Sequence, residues 1–299
     1  MILVHPLIAL IAAPLLLGVI NRTKAIFAGR TGPPLLQAWY DIARLLRKGS
    51  VYSETTTWVF RAGPVVGLAA TLVALAFIPL GPVAAPFAFE GDLVFAVYLL
   101  GLARFVTVTA ALDTGSSFEA MGASREVQIS ALGEPALVLA LAVLAVETHS
   151  LSLSAIFTAL GQGHGGPALV LLAVTLFILL LAECSRIPVD DPNTHLELTM
   201  VHEVMVLDHC GPDLAFIQYG AAVKLWVLGA LVVSTALPIG TGIPVADLAI
   251  GLFGMLALAV AVGVVESSMA RLRLRRLPQF LAVGMALAVL ALVLVLEQP

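Results

Sequence analysis

Six acids fall in one 30-residue window, AECSRIPVDDPNTHLELTMVHEVMVLDHCG (182–211): Glu183, Asp190, Asp191, Glu197, Glu203 and Asp208. Three of the chain's six histidines, His195, His202 and His209, share it. Carboxylates and imidazoles at this density suit metal binding, general acid–base chemistry or proton transfer. A metal site is disfavoured: no HExxH occurs, and histidines seven apart on a helix stand about 10 Å apart along its axis. A hydrolase triad is disfavoured too, because there is no GxSxG and nothing sets a serine beside a histidine. Proton transfer is left, and it draws in ionisable residues beyond the window. Arg104, Glu134 and Lys224 lie in or against apolar runs, where a charge costs about 2.5–3.5 kcal/mol on insertion scales and marks a functional path by default. Glu147 and Glu266 end such runs, where a long side chain also reaches the interface. Arg104 and Lys224 serve equally well as structural counter-ions for the glutamates.

The elements that hold these residues follow from composition. Hydrophobic residues make up 60% of the 299, charged residues 11%, and mean hydropathy is +1.05. A soluble domain averages about 25% charged residues, so a polytopic membrane protein is expected. With a net charge of −4, a nucleic-acid footprint is not expected. Cys184 and Cys210 form no CxxC, so neither a disulfide framework nor an iron–sulfur site is expected. The N-terminal apolar run precedes its positive charges, the reverse of a cleaved signal peptide, and is expected to be a retained first span.

Apolar runs at 3–20, 63–80, 93–112, 133–147, 167–183, 214–237, 246–266 and 280–296 each approach the ~20 residues a helix needs to cross a bilayer. They are continuous rather than alternating, which favours helices over a barrel. Of 15 Lys and Arg, 13 fall in alternate loops: seven from Arg22 to Arg61, then Arg125, Arg186, and Arg271, Arg273, Arg275 and Arg276. The other two, Arg104 and Lys224, are inside spans. By the positive-inside rule, the chain is one all-α domain (1–299) of eight transmembrane helices with both termini outside. It is expected in the cell inner (cytoplasmic) membrane.

Two basic-side loops carry structure. PPLLQAWYDIARLLRKG (33–49) has an apolar side and a basic side with Arg44, Arg47 and Lys48, as in a helix lying in the interface. In the acidic loop 184–213, Asp191-Pro192 reads as a helix start and Gly211-Pro212 as a stop. One helix over 192–210 would put His195, His202 and His209 on one stripe, with Glu197 and Asp208 nearly opposite. It is too charged to span and too apolar to float, so a partner protein should cover it. On the outer side, 149–166 reads as a short apolar segment and a Gly-rich turn with solvated histidines.

These residues also resemble a known family. AECSRIPVDDPNTHLEL is similar to AETNRAPFDLPEAEAEL, the pattern after the fifth span of the NADH-quinone oxidoreductase (complex I) subunit 1 family, matching Glu183, Arg186, Pro188, Asp190, Pro192 and Glu197. GASREVQISALGEP (122–135) resembles GAMRASAQTVSYEV, matching Gly122, Ala123, Arg125 and Glu134; RTGPPLLQAWYDIARLLRKGS (30–50) resembles RxGPNRVGPxGLLQPLADxLKLLxKE. Two acids of the EAEAE pattern are Asn193 and His195 here. The string THLELTM…HE…LDHxGPD and GSSFEAMGASRE resemble the membrane anchor subunits of formate hydrogenlyase, hydrogenase-4 and other group 4 nickel–iron hydrogenases.

The resemblance implies a non-catalytic coupling subunit without cofactors of its own. The nickel–iron centre and Fe–S clusters would belong to a large and a small subunit docked on the cytoplasmic loops, Arg186, His195, His202 and His209 among the docking residues. Antiporter-like membrane subunits would flank the chain. Protons, or sodium ions, would move along Glu134, Glu183, Asp190, Asp191, Glu197, Glu203 and Asp208 with Arg104 and Lys224. A quinone chamber between 33–49 and 183–211, or a purely structural anchor, are the alternatives.

Overall fold

The computed structural model describes residues 3–163, 166–190 and 200–297. Among them are ten α-helices: α1 (Val4–Phe27), α2 (Gln37–Leu46), α3 (Trp58–Leu75), α4 (Asp92–Asp113), α5 (Ser117–Thr148), α6 (Leu153–Gly161), α7 (Ala168–Glu183), α8 (Gly211–Ala236), α9 (Pro244–Ser268) and α10 (Leu277–Leu296). Seven are long and apolar enough to cross a bilayer. The eighth expected span, α7, has 16 residues, about 24 Å of helix. The most enclosed long helix is α8, packed by α1, α2, α3, α7 and α9.

Helix ends follow from local chemistry. Thr57 Oγ1 accepts the Val59 N–H at 3.2 Å and caps α3. The Asp113 carboxylate at the end of α4 accepts the N–H groups of Thr57 (2.7 Å) and Phe60 (3.2 Å), pinning α3 to α4. Asp92 opens α4 buried, accepting from the Leu153 N–H (2.7 Å) and Ser152 hydroxyl (3.0 Å), and so fixes α6. This segment is a helix whose Leu153, Ile156, Phe157 and Leu160 join the core.

Four expectations change. The helix carrying Glu134 begins at Ser117, not near 133, because Glu119 and Glu126 are buried in the fold rather than solvated in a loop. Residues 200–210 do not continue an α-helix; a single 3-10 turn, Glu203–Val206, is present. The Asp190 carboxylate takes the N–H groups of Val201 (2.9 Å) and His202 (3.2 Å), and this tertiary contact outweighs the capping pattern. Gly211-Pro212 opens α8 instead of closing a helix before it. Gly211 has φ +56°, and a Cβ there would stand 2.6 Å from the Gly49 carbonyl oxygen. The helix expected at 33–49 is the shorter α2. Ile42 is buried, and Trp39 donates to the Ile11 carbonyl at 3.1 Å. Arg44, Arg47 and Lys48 remain exposed.

The 3-10 turn rests on α5 at Gly122, where a Cβ would meet Val204 Cγ1 at 2.3 Å and the Val201 carbonyl oxygen at 2.9 Å. Gly122→Val is expected to cost about 1–3 kcal/mol by overpacking. Hydrogen exchange over 201–206 should accelerate while α8 stays protected; unchanged exchange would mean that the turn does not depend on this contact.

Candidate functional site

Four ionisable residues singled out in the sequence converge on one cluster. Arg104 on α4 bonds Glu134 of α5 through Nη1 and Glu183 of α7 through Nη2. Lys224 Nζ on α8 pairs with Glu183 at 2.9 Å. A fifth member, Glu126, stands 3.3 Å from Arg104 Nε. Glu126 precedes Glu134 by eight residues, just over two turns, so both lie on one face of α5. That spacing was a usable signal, hidden because 117–132 reads as a polar loop.

The charges are mostly enclosed. The Arg104, Glu126 and Glu183 side chains are 8%, 8% and 6% exposed, whereas Glu134 is 46% exposed. Away from water such pairs persist only when tightly bonded, and removing one partner costs about 3–5 kcal/mol. Arg104 lies between two spaces. On its inner side is a cavity of about 120 Å³ bordered by Glu126, Glu183, Arg186, His202 and Lys224. On its outer side is a cleft between α4 and α5 with Tyr98, Gly101, Phe105, Ser130 and Glu134. The cluster therefore runs from a partly open cavity to the α4–α5 cleft.

The remaining predicted residues are placed differently. Asp190 is 2% exposed and bonds Arg271 at 2.8 Å. Arg186 borders the cavity and reaches Glu266 at 3.5 Å, which Lys24 also holds at 2.7 Å. Glu266 is thus a buried clasp between α1, α9 and the end of α7, not an interfacial side chain. Glu147 accepts the Gly166 N–H at 3.1 Å. Glu203 begins the 3-10 turn, and Asp208 is exposed, its N–H donated to buried Glu119 at 2.9 Å. Neither joins the Arg104 cluster. Asp191, His195 and Glu197 lie outside the described residues.

His202 borders the cavity, and burial pushes its imidazole below the usual range. His209 stacks on Phe60 of α3 with ring centroids 3.9 Å apart and planes 7° apart. Burial lowers its pKa to about 4, with Asp213 and Asp208 opposing the shift.

Two tests follow. Arg104→Gln leaves three carboxylates around Lys224 alone and should destabilise the chain by about 3–5 kcal/mol; adding Glu126→Gln should recover part of that loss. An unchanged thermal midpoint in Arg104→Gln would show that the cluster does not hold these helices. His209 is neutral when folded and protonates near 6.5 when released, so its contribution is complete above pH 6.5 and lost as pH falls towards 4. Exchange of amides 203–210 should accelerate across that window, and His209→Phe should remove the pH dependence. The same profile in the variant would assign the effect to another group.

The family model described as NADH dehydrogenase matches residues 1–296. Hydrogenase-4 component C of Escherichia coli (strain K12) is 32% identical over 296 residues, covering 97% of this chain and 93% of the relative. Formate hydrogenlyase subunit 4 of the same organism is 31% identical over 300 residues, covering 97% and 96%. In a solved structure of the membrane-bound sulfane sulfur reductase, an archaeal respiratory membrane complex, one chain has the same fold: TM-score 0.83 at 22% identity, covering 98% of this chain and 97% of that one. The apolar helical bundle is that of a multi-pass membrane protein. The resemblance carried by 182–213, 122–135 and 30–50 is borne out: the chain belongs to the NADH dehydrogenase family, among the members that resemble the complex I membrane subunit.

Proposed function

We propose that this chain is the membrane-anchoring and coupling subunit of a group 4 hydrogenase or formate hydrogenlyase-like complex. In this reading α7 completes eight spans, both termini lie outside, and the basic end of the bundle faces the cytoplasm of an inner membrane. A hydrogenase-like large subunit and an Fe–S small subunit, carrying the nickel–iron centre and clusters, dock over α2 and 184–210. Antiporter-like subunits flank the membrane faces.

The observation that carries the proposal is the line Lys224–Glu183–Arg104–Glu134, with Glu126 beside it, leading from the inner cavity to the α4–α5 face. In the cluster three carboxylates share two cations. A change of charge in the docked redox arm would move the loop held by Asp190 and Arg186, and with it the cavity wall. Arg104 would then exchange carboxylate partners: the carboxylate it leaves would take up a proton from the cavity, and the carboxylate it joins would give its proton up towards the α4–α5 face. Glu134 is half exposed on a membrane face, where a neighbouring subunit would receive it.

The quinone-chamber reading has one observation in its favour: the cavity's other wall is apolar, with Leu17, Leu68, Phe216 and Ile217. Against it, the rest of the wall carries Arg104, Glu126, Glu183, Arg186 and Lys224, more charge than a mostly apolar small-molecule site holds. A purely structural anchor would need the acids for packing alone.

The test is the whole complex in sealed vesicles with Glu126, Glu134 or Glu183 replaced singly by Gln. Redox turnover should stay within about twofold while ion translocation per turnover falls at least tenfold, the scale of a lost proton-transfer group. An unchanged ratio in all three variants would leave only the structural anchor. Inhibitor-sensitive reduction of a short-chain quinone would establish the second reading instead.

A further inference from the structure

A second feature lies at the same basic end of the bundle, away from the Arg104 cluster. The first half of α5 and the start of α10 border a groove of about 290 Å³. Ile129, Leu277 and Leu281 are its buried floor, and Leu132 and Leu274, each 38% exposed, are its apolar rim. Its polar lining is Ser124, Arg125 and Gln128. Ser124 and Gln128 are exposed. The 3-10 turn Leu274–Arg276 closes one end and carries Arg275 and Arg276 immediately before α10. Arg273, Arg275 and Arg276 are exposed and form no ion pair among the described residues.

Both walls of this groove hold the acidic loop. From α5, Arg125 Nη1 donates to the Met200 carbonyl at 2.8 Å. From the α9–α10 connection, Arg271 binds Asp190 at 2.8 Å, and the Leu272 N–H donates to the Pro188 carbonyl at 2.9 Å. The far end of the loop is thus tied to the α5 wall, and the near end to the connection that leads into the α10 wall. Asp190 joins the two ends as well, through the Val201 and His202 N–H groups.

We propose that the groove binds one anionic phospholipid, which braces the two anchors of the acidic loop. An apolar floor flanked by exposed arginines matches a molecule with acyl chains below and a phosphodiester above. α5 is 32 residues long, about 48 Å, so its first turns project beyond ~30 Å of hydrocarbon to headgroup level. Ser124, Arg125 and Gln128 stand on those turns, and Arg275 and Arg276 stand just before the apolar part of α10. A zwitterionic lipid fits the floor but places an ammonium group among arginines. The arginine pair favours an anionic headgroup, with an expected selectivity of at least tenfold. The proposal rests on the membrane-spanning reading but not on ion coupling, and it fails separately from it.

The test uses the intact purified complex in nanodiscs of phosphatidylcholine with or without one-fifth phosphatidylglycerol. Native mass spectrometry after detergent release reads the retained lipid, and hydrogen exchange reads residues 200–206. The wild type should retain phosphatidylglycerol at least tenfold over phosphatidylcholine and show slower exchange when it is present. R275Q/R276Q should lose both effects. R30Q/R61Q, which removes as much charge elsewhere on the surface, should lose neither. Leu132→Trp, at the exposed rim, should also release the lipid without altering surface charge. Equal loss in R275Q/R276Q and R30Q/R61Q would reduce the effect to surface charge and overturn the site. Retention unchanged by Leu132→Trp, or release of a cytoplasmic subunit instead of lipid by R275Q/R276Q, would overturn it as well.

Discussion

The structure turns on one guanidinium. Arg104 stands in the middle of an apolar helix, and its cost there is offset only because three carboxylates from two other helices meet it. Arginine suits this position because its planar fork presents five donors in several directions, where a lysine offers a compact ammonium. Lys224 supplies the second cation from α8, the helix the others surround. The packing of α4, α5, α7 and α8 and the placement of the ionisable groups are therefore one constraint. Helices lacking an aqueous driving force between them gain specificity from such polar contacts.

A second level of organisation secures the basic end. Asp190, Glu266 and Glu119 are buried acids with different partners: an arginine and two backbone N–H groups, a lysine and an arginine, and the Asp208 N–H. None belongs to the Arg104 cluster. They fasten the segment between α7 and α8 to α1, α5, α9 and the approach to α10. Arg186 belongs to both levels, since it borders the cavity and reaches Glu266. Movement of this segment is thereby linked to the cavity wall, which suits a loop that reports on a docked partner.

Much of this was legible in the sequence. Alternating basic loops and continuous apolar runs located the long helices, because burial in hydrocarbon leaves a compositional record. Arg104, Glu134, Glu183 and Lys224 stood out for the same reason. Glu126 did not, because it precedes the apolar stretch of α5 and hydropathy cannot tell a buried acid from a solvated one. The helix expected at 192–210 rested on Asp-Pro and Gly-Pro punctuation. In the described part, Asp190 takes the backbone donors and Gly122 admits Val204, so long-range contacts decide the conformation. Glu203 and Asp208 lay near the other acids in sequence, yet the 3-10 turn holds them apart from the cluster.

The central claim is that the carboxylates around Arg104 change protonation when the complex turns over. Infrared difference spectroscopy of the whole complex between oxidised and reduced states measures this directly, through the carbonyl stretch of a protonated carboxylic acid. The account predicts a redox-dependent carboxylic acid band that disappears in Glu126→Gln, Glu134→Gln or Glu183→Gln and persists in Glu147→Gln. No such band, or a band unchanged in all three cluster variants, would contradict it.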